Sequence, residues 1–468
     1  MDTKNFERQF GKQSLKSIRE NFFGNDIFGF INEKLTKIGV VEHEIIIPLY
    51  LSSVGAHILN LINVACARVE EDNEIDNKKP KPSVCKNFGT MYCPRANLFV
   101  LRHGEDINFY KVFGQVPDLR VHLLHVAPSG FGKDFFMSIL MDNEFGILPQ
   151  EIPHTIVRGF LSEAGYIGTK TKDNKGNTIT IKGLAEMYCA GIIGVPEFSS
   201  VMMAMKQTHS MQLENDLLEV LQGGKINKIM ANGTIEFNSY HTLWAGTQPS
   251  EGRLDVSTGL GRRLNFYLYL PNKEEQEEYK KAQLRGRFTN FSTLELVALR
   301  KYLTKLWETR AINRVEFTRA YEEFRNSLEI INHTNIQLYD NIALGYNFIN
   351  NFDTTEEVVV VKIDDLLKKI LMKVATDRAN IMREAYIEWQ VILPVIFESD
   401  KPLKVYDVVR IIEKTQMLPY KDIIEKLTLA EKEGVVGFFK VDRIHGGTDM
   451  YVYDTRKFKS AEDAMKYI

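Results

Sequence analysis

Residues Val121 to Asp134, VHLLHVAPSGFGKD, constrain this chain more than any other stretch. An apolar run ends in a loop of small residues that carries Lys133, and apolar residues resume at Phe135-Phe136-Met137-Ser138-Ile139-Leu140. The order predicts a buried strand, a tight loop and a helix, which is the arrangement of a phosphate-binding loop. Glycines there let successive backbone N–H groups converge on phosphate oxygens, and the helix N-terminus adds partial positive charge. Ser129, Gly130, Phe131 and Gly132 would line the cradle, with Lys133 reaching the terminal phosphates. Two positions depart from the usual pattern. Ala127 stands where the first glycine is common, and Asp134 where a serine or threonine hydroxyl meets magnesium. An ordinary glycine-rich strand-to-helix turn is the competing reading, so the rest of the chain must decide.

A length of 468 residues allows roughly two to four domains. Hydrophobic residues at 44% and charged residues at 26% match ordinary globular chains. A net charge of −2 excludes a globally basic nucleic-acid binder, so any such contact must come from local patches. Cys66, Cys85, Cys93 and Cys189 form no C-x-x-C pair and no zinc spacing with histidine, which predicts buried thiols in a reducing compartment. The opening MDTKNFERQFGKQ has no apolar signal core, which predicts a cytoplasmic location. Ile45 to Ala67 lacks Asp, Glu, Lys and Arg and so imitates a membrane span. Its Pro48, Ser52, Ser53, His57, Asn60 and Asn63 are costly in lipid, and a buried helix without membrane contact is expected instead.

Four regions follow from the patterning. Residues 1–96 read as mostly helical, with a polar linker, EEDNEIDNKKPKPSV, near their end. Residues 97–281 read as an α/β core with a parallel sheet, because short apolar strands alternate with helices. Asn97 to Leu101 is the first expected strand. Residues 282–383 turn helical in ELVALRKYLTKLWE and DLLKKILMKVATDRANIM. Residues 384–468 read as helix, helix and β-hairpin, the order of a winged helix. Gly434 is expected to end the second of those helices.

Three further segments supply what an ATPase needs beyond a phosphate cradle. In GIIGVPEF, an apolar strand ends at Glu197, which would place a water-orienting carboxylate at the sheet edge that carries the loop. A strand-terminal glutamate in a plain turn is the alternative. In YHTLWAGTQP, Gln248 stands at a strand end where it could hydrogen-bond the attacking water or the γ-phosphate, with Thr247 as second choice. In GLGRRLNF, Arg262 and Arg263 precede an apolar strand and suit an arginine finger, since a planar cation stabilises transferring phosphoryl charge. A solvated arginine pair is the plainer reading. Lys170, Lys172, Lys175 and Lys182 cluster in one expected hairpin, and Lys225 and Lys228 in a second. Such lysines grip backbone phosphates in some proteins and only keep hairpins soluble in others.

In order and wording these segments resemble the minichromosome maintenance (MCM) helicases and their mobile-element relatives among the AAA+ ATPases. The likeness runs from about Asn97 to Pro271. LSEAGY is similar to the family's segment before the helix-2 insert, TKTKDNKGN to the insert hairpin itself, GIIGVPEFSSV to its acidic strand, and GGKINKIMANGTI to the hairpin before sensor 1. The resemblance implies a P-loop AAA+ core with a helical lid and a C-terminal winged helix. It also implies ATP and Mg²⁺, a hexameric homo-oligomer, single-stranded DNA gripped in a central channel, and replication proteins docking on the winged helix. Departures qualify it. Pro196 replaces the aspartate that holds Mg²⁺, Gln248 stands for the family's asparagine, and Ala231 for its DNA-contacting lysine, with Lys228 the nearest cation. Asp134 either takes over the Mg²⁺ as a hard oxygen ligand or repels phosphate. The function expected is a replicative helicase or translocase. The alternatives are a DNA-packaging or transposition ATPase, and a nucleotide-binding scaffold or loader that does not hydrolyse ATP.

Overall fold

The computed structural model describes residues 13–35, 43–61, 118–159, 161–172, 176–205, 211–222, 225–230, 233–248, 259–284, 292–308, 314–328, 334–353, 358–382, 392–416, 420–432, 434–443 and 446–468. The expected strand at Asn97 to Leu101, the linker, Cys66, Cys85, Cys93 and Lys175 lie outside these residues. The chain divides into two units, Met1–Thr247 with Thr258–Arg378, and Gln248–Ser257 with Ala379–Ile468.

Among the described residues, nine strands organise the middle of the first unit: β1 His122–Val126, β2 His154–Ile156, β3 Gly168–Lys172, β4 Thr178–Lys182, β5 Ile192–Val195, β6 Lys225–Met230, β7 Gly233–Asn238, β8 Thr242–Thr247 and β9 Leu264–Leu268. Five of them form one parallel sheet in the order β2-β5-β8-β1-β9. The apolar, β-branched character of ILE-and-VAL-rich runs such as Ile192–Val195 suits strands buried on both faces. Helices cover both faces. On one, Tyr50 of the His43–Leu61 helix packs 4.7 Å from the Trp244 ring, and Phe136 of the Lys133–Met141 helix packs 5.9 Å from His125. On the other, His122 meets the Leu221 carbonyl of the Met211–Gln222 helix at 3.2 Å. The region is therefore α/β, as expected. The remaining strands form two antiparallel hairpins, β3–β4 and β6–β7, that leave the sheet as insertions.

The membrane-like segment is a core helix. It is long and apolar enough to cross a bilayer, yet it is mostly buried inside the protein. Its polar side chains are spent on the sheet. Ser53 donates to the Val121 carbonyl at 2.5 Å, His57 contacts Thr242 Oγ1 at 2.9 Å and the Ala190 carbonyl at 3.1 Å, and Asn60 accepts from Leu119 N–H at 2.9 Å. Each of those partners lies where a sheet strand begins. Across its other side runs the Thr334–Asn350 helix, backbone against backbone. A Cβ on Gly345 would stand 1.9 Å from the Ser52 carbonyl oxygen, and one on Gly55 would stand 2.3 Å from that of Gly345.

Residues 292–378 differ from the expected helical lid in two ways. They include a parallel pair, β10 Arg314–Phe317 and β11 Val358–Val361, where four successive valines favour strand over helix. They also share one compact unit with the sheet. Near the end of the Asp365–Met382 helix, Lys373 Nζ donates to the Leu268 carbonyl at 2.6 Å and Asp377 accepts from Leu268 N–H at 2.8 Å. Arg378 donates to the Leu264 carbonyl at 2.8 Å. This helix thereby satisfies the outer edge of β9, which would otherwise present open backbone groups.

In the second unit, the helix Leu393–Phe397 is followed by the short strand β12 Leu403–Lys404, the helices Val405–Gln416 and Tyr420–Lys432, and the hairpin β13 Val436–Asp442 with β14 Thr448–Asp454. The three strands form an antiparallel sheet in the order β12-β14-β13. Gly434, at φ +74°, takes the left-handed turn that ends the Tyr420–Lys432 helix.

The Gly345 crossing is the least forgiving contact in the first unit. Gly345→Ala is expected to lose about 3 kcal/mol of stability, because its methyl meets backbone that cannot move aside. Denaturant unfolding of the variant against the parent checks this. A loss below about 0.5 kcal/mol would contradict the crossing.

Candidate functional site

A parallel sheet has two unlike edges. At the edge where strands begin, the first unit is closed by its own polar contacts. Arg120, 2% exposed, donates to the His241 carbonyl at 2.7 Å and the Val220 carbonyl at 2.9 Å, and pairs with Asp118 at 2.7 Å. Ser53, His57 and Asn60 complete that closure. At the edge where strands end, Ser129, Asp134 and Glu197 are exposed, while Lys133 and Thr247 are buried. Crevices at that edge are where open α/β sheets hold ligands.

The loop sits at this second edge. Val126 ends β1 beside Thr247, and Ala127 N–H donates to the Thr247 carbonyl at 3.1 Å. The chain then turns through Pro128 and exposed Ser129 and Gly130 before the helix begins at Lys133. Gly130 has φ +82° and Gly132 φ +91°, values that disfavour any side chain. A Cβ at Gly130 would project into open space, so nothing packs against the front of the loop there. Lys133 is 5% exposed, and its ammonium donates to the Ala127 carbonyl at 3.2 Å, back across the loop. Phe131 is half-buried against Tyr279 at 5.2 Å and Tyr269 at 6.4 Å, which anchors the loop's middle. Asp134 is exposed on the first turn of the helix.

Strand order sets the spacing of the other candidates. β8 lies between β1 and β5. At about 4.8 Å per strand, the end of β5 stands about 10 Å from the loop strand. Glu197 is exposed in the turn that follows β5 and Pro196. A Cβ at Gly246 would lie 2.5 Å from the Pro196 carbonyl, so β8 and that turn touch closely. Thr247, buried, closes β8, and Gln248 follows it in the chain. The sheet thus gathers the loop, the Glu197 turn and Thr247 at one edge.

Arg262 and Arg263 are not among them. They end the Gly259–Arg263 helix, and Leu264 then starts β9 level with His122, the first residue of β1. One strand length, about 17 Å for five residues, separates them from the loop of the same chain. Arg262 is exposed, whereas Arg263 is half-buried and hydrogen-bonded to Gln222.

The hairpin lysines divide. Lys170 reaches across to the second hairpin, where a Cβ on Gly233 would lie 3.0 Å from its ammonium. Lys172 is exposed, and Lys182 pairs with Glu186 at 3.3 Å. Lys228 departs from the expected role. Its ammonium is held by Glu163 and by Asp216 at 3.1 Å, and the side chain is only 17% exposed. It points to the inner side of its hairpin because strand alternation puts it with buried Ile226, Ile235 and Phe237. Burial pushes the Asp216 carboxyl up to about 6. Of Lys225 only its place at the start of β6 is described.

Sequence reasoning passed over His125, one residue before the loop strand ends. Both of its ring nitrogens are buried without a hydrogen-bond partner, between Tyr267 at 5.2 Å and Phe136 at 5.9 Å. Burial pushes it down to about 3, helped by the nearby Lys133 charge. His122 and His241 are likewise held well below the usual histidine range by burial, with the Arg120 cation adding to it. Nothing in the alternation of HLLHV distinguishes a neutral core histidine from a functional one.

Among the described residues, no group of three His, Cys, Asp or Glu side chains is placed to hold a metal. No known family model matches the chain, and no curated protein matches it.

Three neutral buried histidines set a pH dependence. Unfolded, each binds a proton near pH 6.5, while folded they stay neutral to lower pH, so their stability is present above about 6.5 and declines on acidification. Each contributes a loss of up to about 1.4 kcal/mol per pH unit below that point. Urea unfolding at neutral and mildly acidic pH should show this slope, and His125→Phe should reduce it by one proton's worth. A slope unchanged in that variant would contradict the burial of a neutral imidazole.

Proposed function

We propose that this chain is an ATP-driven ring motor of the AAA+ class that acts on DNA, similar to the MCM helicases. The observation that carries the reading is the gathering of three groups on three adjacent strands of one parallel-sheet edge: the Gly130–Gly132 loop with Lys133, the Glu197 turn and Thr247. The carboxylate strand stands about 10 Å from the loop strand, with β8 and its terminal Thr247 between them.

In this reading the backbone N–H groups around Gly130 and Gly132, together with the N-terminus of the Lys133–Met141 helix, hold the β- and γ-phosphates. Lys133 leaves the Ala127 carbonyl and neutralises the charge that develops on the transferring phosphoryl group. Glu197 orients the attacking water and accepts its proton. Thr247 or Gln248 hydrogen-bonds the γ-phosphate from the strand between them. Asp134, exposed on the first turn of the loop's helix, suits Mg²⁺, an ion that keeps several waters and takes one or two carboxylates beside the phosphates. Bound there, Mg²⁺ would neutralise phosphate charge. Because Arg262 and Arg263 stand at the far edge of the sheet, only a second copy of the chain can present them to this site. That supports a ring in which each subunit completes its neighbour. The β3–β4 and β6–β7 hairpins, with Lys170 and Lys172, are the candidate DNA contacts.

Two positions favour a second reading, a nucleotide-binding scaffold that does not turn over. Pro196 offers no carboxylate beside Glu197, and Asp134 brings negative charge to the phosphate side.

Hydrolysis assays separate the two. Lys133→Ala should abolish ATP hydrolysis, and Glu197→Gln should retain ATP binding while slowing turnover at least ~10²-fold. A parent that binds ATP without hydrolysing it, with or without single-stranded DNA, would favour the scaffold.

The in-trans arginine has its own test. Arg263→Ala should bind ATP yet hydrolyse it slowly, and mixing it with Glu197→Gln subunits should restore part of the activity at shared interfaces. Mixtures no more active than the separate variants would contradict the assignment to Arg263 and move the test to Arg262.

A further inference from the structure

Lys228 stands between two carboxylates. Glu163 and Asp216, at 24 and 6% exposure, both reach its ammonium. Three elements meet there: β6, the Met211–Gln222 helix and the Glu163–Ile167 helix, whose end runs straight into β3. The contact therefore fastens the second hairpin to the root of the first. Among the described residues no other cation pairs with either carboxylate, so the cluster holds one excess negative charge when both are ionised. An excess charge in a half-buried place is unfavourable.

The surrounding groups do not cancel it. Glu214 and Glu219 lie on the same helix as Asp216, and Glu219, three residues on, repels its carboxylate. The Glu163–Ile167 helix adds Tyr166, buried with its hydroxyl 3.2 Å from His241 Nε2. The Phe198–Met205 helix, also packed on the Met211–Gln222 helix, has no titratable side chain. At the far end of that helix Arg120 is held by Asp118 and the Val220 carbonyl, His122 by the Leu221 carbonyl and Arg263 by Gln222. Lys170 brings its ammonium to Gly233 on the inner face of β7, two residues before Ile235, the partner of Lys228.

Asp216 is the more buried carboxylate and the one that takes a proton. Burial and Glu219 push it up to about 6, against the pull of the ammonium. With the hairpin opened, the same carboxyl would meet water and return to about 3.9. A group that binds its proton more tightly in the closed state favours closure as pH falls. These two values give about a tenfold rise in the closed-to-open ratio from pH 7 to pH 5.

We propose that Glu163, Asp216 and Lys228 form a proton-set clamp, which holds the second hairpin loosely while both carboxylates are ionised and tightly once Asp216 carries a proton. The direction is opposite to that of the buried histidines, which weaken the fold on acidification. The clamp does not depend on what the hairpin touches, so it goes beyond the motor reading and survives its failure.

Hydrogen exchange of the full chain, read by mass spectrometry at pH 7 and pH 5 and corrected for the intrinsic exchange rate, tests it. Residues 225–238 of the parent should open about tenfold less often at pH 5, while the His122–Val126 strand gains no protection. Asp216→Asn keeps the shape without the charge, and should protect the hairpin at both pH values as the parent does at pH 5. Lys228→Met leaves two carboxylates facing each other, and should open the hairpin further at pH 7 and steepen its pH response. An Asp216→Asn hairpin that keeps the parent's pH response would overturn the proposal. So would a parent hairpin that exchanges faster at pH 5 in step with the strand, since it would then open only as the whole unit unfolds.

Discussion

Where the Thr334–Asn350 helix crosses the His43–Leu61 helix, neither backbone leaves space for a side chain, and much of the first unit depends on that approach. The crossing seats the His43–Leu61 helix along one face of the sheet, with Tyr50 against Trp244 and with Ser53, His57 and Asn60 reaching the strand beginnings. Those contacts, with Arg120, satisfy the polar groups at that edge of the sheet. The opposite edge is left to a glycine loop, an exposed glutamate and a strand-end threonine. One helix crossing thus decides which edge of the sheet these polar side chains close.

The same topology sorts the charged residues by task. Strand order, not sequence distance, puts Glu197 two strands from the loop and Arg263 a strand length away at the other edge. Lys228 shows the same sorting inside a hairpin. It lies between Asn227 and Ile229 in sequence, yet alternation turns it inward to two carboxylates while its neighbours face solvent.

Local pattern carried the strand, loop and helix around Lys133, because apolar runs, glycines and a helix start all act within a few residues. Alternation of strands and helices carried the parallel sheet, and a buried-helix reading of Ile45 to Ala67 followed from its polar side chains. What those side chains bind was not legible: His57 meets Thr242 and Ala190, far along the chain. The Val358–Val361 strand was missed inside a helical stretch although its β-branched run signals it. The partners of Lys228 and the unpartnered nitrogens of His125 are properties of packing, and no spacing rule reports them. The glycine-rich loop's chemistry was legible only as a motif, since a turn of the same composition need not face a phosphate.

The account stands or falls on what occupies the loop. A crystal structure of the full chain with a non-hydrolysable ATP analogue and Mg²⁺ is the direct measurement. The account predicts phosphates against the Gly130–Gly132 backbone, with the Lys133 ammonium moved from the Ala127 carbonyl onto them and Glu197 facing the γ-phosphate across the end of β8. Lys133 still on the Ala127 carbonyl at saturating nucleotide, with no phosphate in the loop, would contradict it.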